Sequence, residues 1–376
     1  LSLAQNKPGT GLPITKAKGA IKIDGVLDEE DWKSAEVATN FFLNYPTDTL
    51  LAAFQTEARI TFDDDFFFVS FVCYDDNRPN VVQSLRRDFE WSLNDNVGLY
   101  LDPFNDFTNG FYFGISPYGV QREGIMSGGG TEQQGYNSNW DNKWYSSVKR
   151  LDDRWIAELA IPLKSFRYNQ GQPAWNVNFV RQDLKRNQVS GWIATPIQFF
   201  PSAFAFSGAL QWQTPAPHAG TNISLIPYTL ASTSKDNENG TSENTLTAGF
   251  DAKVGITPSL NLDLTVNPDF STVEVDKQVI NLTRFEFQFP ERRQFFLENS
   301  DLFSAPGFSS LTQPFFSRRI GLATDTTDNQ QRVPILYGAR ISGKLGQKWR
   351  VGLMNLQTKE TKSLGLPGQN YTVAVL

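Results

Sequence analysis

Between Ile21 and Leu210 the chain is cut by turns into short apolar runs, and that grammar leaves little choice of fold. Glu57–Phe62 alternates polar and apolar residues, Asp63–Asp65 reads as a turn, and Phe66–Tyr74 reads as a buried strand. Val97–Asp102, closed by Pro103, and Phe111–Ser116, ended by the turn Pro117–Gly119, repeat the pattern. Trp144–Lys149 and Trp155–Ile161 flank a hairpin turn at Asp152 and Asp153, and Trp175–Leu184 is a further strand. Ser127–Asn142 reads as a long Gly/Asn/Gln loop. Only Asp28–Ala35 makes a case for a helical turn, with acids leading and Trp32 on its inner face. Short strands at this spacing are what a β-sandwich produces.

Composition narrows the chemistry. Phe 30, Trp 9, Tyr 11 and Gly 28 stand against one His, one Cys and two Met, a mix that favours strands and turns. The 40% hydrophobic share suffices for a large core, and 376 residues suggest two to three domains. A net charge of −6 without a basic stripe argues against a nucleic-acid partner. The single histidine, His218, excludes an HExxH zinc site and leaves triad chemistry one candidate, which sits in the linker-like Pro215–Gly220. Cys73 has no partner for an intrachain disulfide and reads as a small core residue. No run of 18 apolar residues offers a membrane helix. Leu1–Gln5 reads as the end of a signal peptide, so export is expected.

Past Ser207 the texture changes. Thr221–Leu230, Leu246–Ile256 and Leu260–Val266 show period two, and Ile335–Lys344, Trp349–Gln357 and Tyr371–Leu376 follow. Segments of about ten alternating residues joined by turns mark a transmembrane β-barrel, although a second soluble sandwich would give similar periodicity. About six such strands fall short of the eight or so that a membrane barrel needs. The chain also stops inside the apolar pattern Val373–Leu376, so an N-terminal fragment of a longer protein is expected. The expected organisation is all-β: a signal remnant and lead-in over 1–20, a β-sandwich over 21–214, a linker over 215–220, and part of an antiparallel β-barrel over 221–376. The segment from Arg284 to Arg319 mixes arginines with phenylalanines and is expected to pack inside or across the barrel mouth, unless it is an ordinary long loop.

Four ordered stretches resemble the carbohydrate-binding module family 9-like domains. They are Ile23-Asp24-Gly25-Val26-Leu27-Asp28-Glu29 with Trp32, the paired strands of Ala58–Tyr74, Trp91 with Asp95–Pro103, and Arg154–Pro162. The resemblance implies a β-sandwich, a sugar held between two tryptophans, and calcium as an ion such a domain can take. Trp91 falls at the first tryptophan. The second belongs in the loop after Trp192, where Phe199 and Phe200 stand, and an acid that helps bind hydroxyls falls at Gly98. In the second half Val266–Ser271, Val279–Glu286, Phe289–Asn299 and Pro314–Gly321 resemble an uncharacterised outer-membrane β-barrel family in which the barrel follows such a module. The resemblance implies a cell outer membrane location, contact with outer-membrane lipid, and a module that is periplasmic or surface-exposed.

Sugar binding needs flat aromatic faces and fixed polar groups. The candidates are Trp91, Phe199, Phe200 and Trp140 for stacking, and Asp95 and Arg181 for hydroxyls, with a core or structural reading open for each of these polar groups and tryptophans. Oxygen ligands for calcium are plentiful, but no EF-hand loop occurs and no other cofactor is expected. Three readings stand: a non-catalytic module for glycan capture or uptake on an outer-membrane barrel, a structural or interaction domain without sugar, and an accessory region of a glycoside hydrolase. No carboxylate pair sits in a motif that marks an acid and a nucleophile, so catalysis is not expected.

Overall fold

Asp63 closes the central hairpin of the first half, its Oδ1 accepting from the backbone N–H groups of Asp65 and Phe66 at 2.8 and 2.6 Å. The computed structural model describes residues 11–376 apart from 77, 131–135, 139, 141, 167, 169–170, 218–222, 237–240, 258–259, 269–292, 298–299, 304–314, 325–329, 346–348, 362–364 and 366. The chain divides into two units, Leu1–Gly220 and Thr221–Leu376.

The first unit begins with β1 (Gly11–Ile14), α1 (Glu30–Ser34), β2 (Val37–Ala38), β3 (Phe42–Tyr45), β4 (Thr56–Phe62) and β5 (Phe66–Tyr74). Then come β6 (Asn96–Asp102), β7 (Gly110–Ile115), β8 (Gln121–Met126), β9 (Tyr136–Asn137) and β10 (Tyr145–Arg150). It ends with β11 (Arg154–Pro162), β12 (Ala174–Asp183), β13 (Gln188–Gly191) and β14 (Gly208–Trp212). A nine-stranded sheet runs β1-β14-β12-β6-β7-β8-β9, with β13 joining β12 to β3, and a five-stranded sheet runs β10-β11-β5-β4-β2. The inward residues of both sheets form one core, with Val97, Leu99, Phe113 and Trp175 from the first and Ile60, Phe67, Val69 and Trp155 from the second. This is the sandwich that the sequence predicts. Cys73 lies in that core, where burial pushes its thiol up to about 12.

β5 is buried on both faces because the lead-in folds over its outer side. Trp32 of α1 packs there on Phe68 and Ala160, with Ile21, Ile23 and Leu27 around them. The clamp is Glu158 of β11, which is 0% exposed. Its Oε2 accepts from the backbone N–H of Gly25 at 2.6 Å and of Asp24 at 3.0 Å, and its Oε1 accepts from Trp32 Nε1 at 2.8 Å. Gly25 has φ +85° and a Cβ there would come within 2.9 Å of the Lys149 Cβ, so this turn requires glycine.

Several boundaries differ from expectation. Within the expected lead-in, Gly11–Ile14 is a strand that pairs in parallel with β14 and buries Leu12 and Ile14. Two apolar residues in a Gly/Pro-rich stretch give no readable period, and the sheet edge fixes them. The loop expected over Ser127–Asn142 contains β9, paired with β8. In the expected linker, Ala216 joins the main core and Tyr168 Oη donates to the Pro217 carbonyl at 2.6 Å, while His218 lies outside the described residues.

At one end of the sandwich Asp75, Asp76, Asp183, Arg181, Lys185 and Arg186 form a largely buried ion network. Burial raises the Asp76 carboxyl, but the Arg78 backbone N–H and the Arg186 and Arg78 guanidiniums outweigh it and hold the group at about 2.

The second unit holds β15 (Ile223–Asp236), β16 (Thr241–Thr257), β17 (Leu260–Val266), α2 (Gln294–Leu297), α3 (Ser300–Phe303) and the hairpin β18 (Leu322–Thr324) and β19 (Gln330–Arg332). It ends with β20 (Ile335–Leu345), β21 (Trp349–Thr358) and β22 (Asn370–Val375). The sheet runs β15-β16-β17-β20-β21-β22, antiparallel throughout. Among the described residues it does not close on itself. Its burial is inverted relative to a water-soluble sheet. In β17 Asn261, Asp263 and Thr265 are buried, whereas Leu260, Leu262 and Leu264 are only partly so. The register puts Leu225, Leu262, Ile341 and Leu353 on the exposed side. On the covered side Arg340 donates through Nη2 to Asp263 Oδ2 at 2.7 Å. There Phe295, Phe296, Leu302 and Phe303 pack with Met354 and Leu356. They belong to the arginine and phenylalanine segment, of which 284–292, 298–299 and 304–314 lie outside the described residues.

Two outcomes check this account. Glu158→Ala leaves three buried donors without an acceptor and is expected to cost about 3–5 kcal/mol in urea unfolding, against ~1–2 kcal/mol for Trp32→Phe. The folded Asp76 carboxyl titrates below its unfolded value, so the stability it contributes is complete above the ordinary carboxylate range and is lost as pH falls towards about 2. Asp76→Asn should flatten the acid limb of a pH series of unfolding midpoints, and an unchanged limb would contradict the network's role.

Candidate functional site

The nine-stranded sheet has an outward face that carries a second, smaller cluster. Alternation puts Gly98 and Tyr100 of β6, Tyr112 and Gly114 of β7, Arg122, Gly124 and Met126 of β8, and Val180 and Gln182 of β12 on this side. Gly98 faces Gly114, and Gly114 faces Arg122. The glycines exist to seat rings. A Cβ on Gly114 would lie 2.0 Å from Tyr112 Oη, and one on Gly124 would lie 2.5 Å from the Tyr136 ring.

Tyr100 and Tyr112 therefore lie close to the sheet with ring centroids 4.7 Å apart. Beside them Arg122 lies in the corner made by two rings set at 85° to each other with centroids 5.8 Å apart, its Cζ 4.0 Å from the Tyr136 centroid and 4.9 Å from that of Tyr112. Arg122 is only 8% exposed. Its Nε is buried without a hydrogen-bond partner, as is Oε1 of Gln182. Burial pushes the phenols of Tyr100, Tyr112 and Tyr136 up, so they are neutral around Arg122. Trp91, Tyr136 and Val189 pack at the margin of this cluster, partly exposed.

The residues singled out in the sequence separate into two groups. Trp91 opens a short 3-10 turn, Trp91–Leu93, at the edge of the outward cluster. Phe199 and Phe200 lie on an exposed turn, 40% and 48% exposed, with Phe199 against the Phe206 ring at 5.1 Å. Asn44 Nδ2 donates to the Phe199 carbonyl, and Asn178 Nδ2 to that of Pro201, which ties the turn to the sheet.

The other three are engaged internally. Asp95 is buried, and its carboxylate accepts from the backbone N–H groups of Val81 and Leu184 at 2.7 and 2.6 Å. Arg181 points between the sheets and donates to the Tyr74 carbonyl at 2.8 Å. Trp140 sits in the main core against Phe111 and Phe113, at 5.2 and 5.9 Å. Their hydrogen bonds and packing serve the fold.

Arg122, the three tyrosines and Gln182 were not singled out in the sequence. The available signal was the row of glycines inside strand patterns, at Gly98, Gly114 and Gly124, which marks close approach of side chains or ligand. Among the described residues no group of three or more His, Cys, Asp or Glu side chains converges as a metal site. The acids considered for calcium serve turns in two cases: Asp63 as above, and Asp102, which accepts from the N–H groups of Phe104, Asp106 and Phe107.

Residues 23–207 match the family described as carbohydrate family 9 binding domain-like. Residues 219–365 match a domain of unknown function, DUF5916. A family 9 carbohydrate-binding module from Caldicellulosiruptor kristjanssonii in complex with cellotriose aligns at 14% identity and a TM-score of 0.39, over 54% of this chain and 93% of that one. The same organism's module with glucose aligns at 15% and 0.38, over 54% and 96%. A candidate carbohydrate-binding protein from Bacteroides uniformis aligns at 14% and 0.43, over 55% and 99%. Among curated proteins nothing matches the chain.

The seat of Tyr112 is testable. Gly114→Ala must lift the ring off the sheet and is expected to cost about 1–3 kcal/mol and to alter the near-ultraviolet circular dichroism. Tyr112→Phe keeps the ring and gives up the hydroxyl's bond to Arg122 and its 3.5 Å contact to Asn96 Oδ1, so it should leave the aromatic circular dichroism closer to wild type than Gly114→Ala does.

Proposed function

We propose that the first unit is a non-catalytic glycan-binding module, and that the second belongs to an outer-membrane β-barrel which holds the module at the membrane for glycan capture or uptake. The observation that carries the first part is the outward aromatic cluster with Trp91 at its margin, in a segment that matches a carbohydrate-binding family over 23–207. Flat rings stack on the C–H faces of a sugar, and the polar groups among them take its hydroxyls.

The inverted burial of the second unit supports the second part. Half-exposed leucines outside and an Asp263–Arg340 pair under cover suit a sheet with hydrocarbon on one side and a polar interior on the other. With its N-terminal module inside or outside the cell envelope, such a protein would meet glycans at the membrane itself. The interaction-domain reading draws on Gly98, which brings no carboxylate to the face.

A panel of mono- and oligosaccharides titrated against intrinsic tryptophan fluorescence tests the module. Trp91→Ala is expected to weaken binding about tenfold, the worth of one aromatic anchor, with a stability loss smaller than that of a core tryptophan. A silent panel would transfer the proposal to the interaction-domain reading. For the second unit, residues 221–376 expressed without the first should aggregate in buffer and become protease-resistant in detergent micelles or lipid vesicles. A soluble, monomeric, protease-resistant fragment would instead indicate a second water-soluble sheet domain.

A further inference from the structure

Arg122 is a buried charge without a counter-charge. Among the described residues no carboxylate pairs with it. Its strand neighbour Glu123 points to the other side of the sheet, where it bonds Arg87 and Trp144 Nε1. The phenols beside it stay neutral. The Tyr136 and Tyr112 rings flank the guanidinium on adjacent sides and the Tyr112 hydroxyl bonds it, but Nε is buried without a hydrogen-bond partner. A cation buried in this way is costly unless an anion completes it. Its planar fork matches the two oxygens of a carboxylate.

We propose that this cradle binds the carboxylate of an acidic sugar, so that the module's glycan contains a uronic acid. The proposal rests on the glycan-binding reading above and names its substrate class. Gln182 lies three strands away on the same face, roughly 14 Å at the usual strand spacing, and its unpartnered Oε1 supplies an acceptor for a hydroxyl further along the same chain. The site would therefore read an oligosaccharide whose acidic residue sits at Arg122.

The test uses the 376-residue chain in a detergent without a sugar headgroup. Uronate trisaccharides of the galacto, gluco and manno series are titrated calorimetrically beside their carboxyl-reduced counterparts and a sulfated trisaccharide. At least one uronate should bind about tenfold or more tightly than its reduced form. The preference should shrink as salt rises from about 0.05 to 0.5 M. Arg122→Gln should abolish the preference. Equal binding of acidic and reduced sugars by the wild-type chain overturns this proposal while the glycan reading survives. Tighter binding of the sulfated sugar overturns the carboxylate assignment. No binding of any sugar overturns both.

Discussion

Glu158 is the constraint on which the first unit turns. A β-sheet strand buried on both faces needs cover on each, and the segment that covers β5 has little secondary structure of its own to hold it there. A buried carboxylate with three N–H donors does that holding, and the donors come from the segment itself. The carboxylate is met by N–H dipoles instead of a cation, although burial still pushes its carboxyl up. Arg122, 8% exposed, is treated in the opposite way, with two rings against it and its Nε without an acceptor. One buried charge is met by donors of the fold, and the other has no carboxylate partner among the described residues.

Much of the architecture was legible because it depends on local pattern. The Asp63–Asp65 turn, the double-sided run Phe66–Tyr74 and the alternation in Leu260–Val266 each state their own structure. The parts that stayed hidden depend on partners distant in sequence. Gly11–Ile14 becomes a strand only because β14 offers an edge, and Tyr136–Asn137 only because β8 does. The candidate site illustrates the same limit. Trp91 was found because it falls in a stretch that resembles a known family, whereas Arg122 became visible only once β7, β8 and β9 had brought the Tyr112 and Tyr136 rings against it. Trp140 was equally conspicuous, yet Phe111 and Phe113 enclose it in the core.

The two units use the same strand grammar with opposite patterns of burial. In the first, leucines and phenylalanines face the core, and two smaller clusters lie on the outer sides of its sheets. In the second, β17 hides its polar side chains and leaves its leucines half-covered. A period of two records only that the sides differ; which side meets water is decided by what covers each. Here the cover over the polar side includes Phe295, Phe296, Leu302 and Phe303, which belong to a segment with no strand period.

The parallel pairing of β1 with β14 has a mechanical consequence. Gly11 lies beside Ala209 and Ile14 beside Trp212, so the chain comes into the sheet at one end of this ladder and leaves it at the other. Tension applied between those points would slide the two strands along each other, and their hydrogen bonds would have to fail together instead of opening one by one. The first unit would then resist being pulled apart along its own backbone at the edge of its larger sheet.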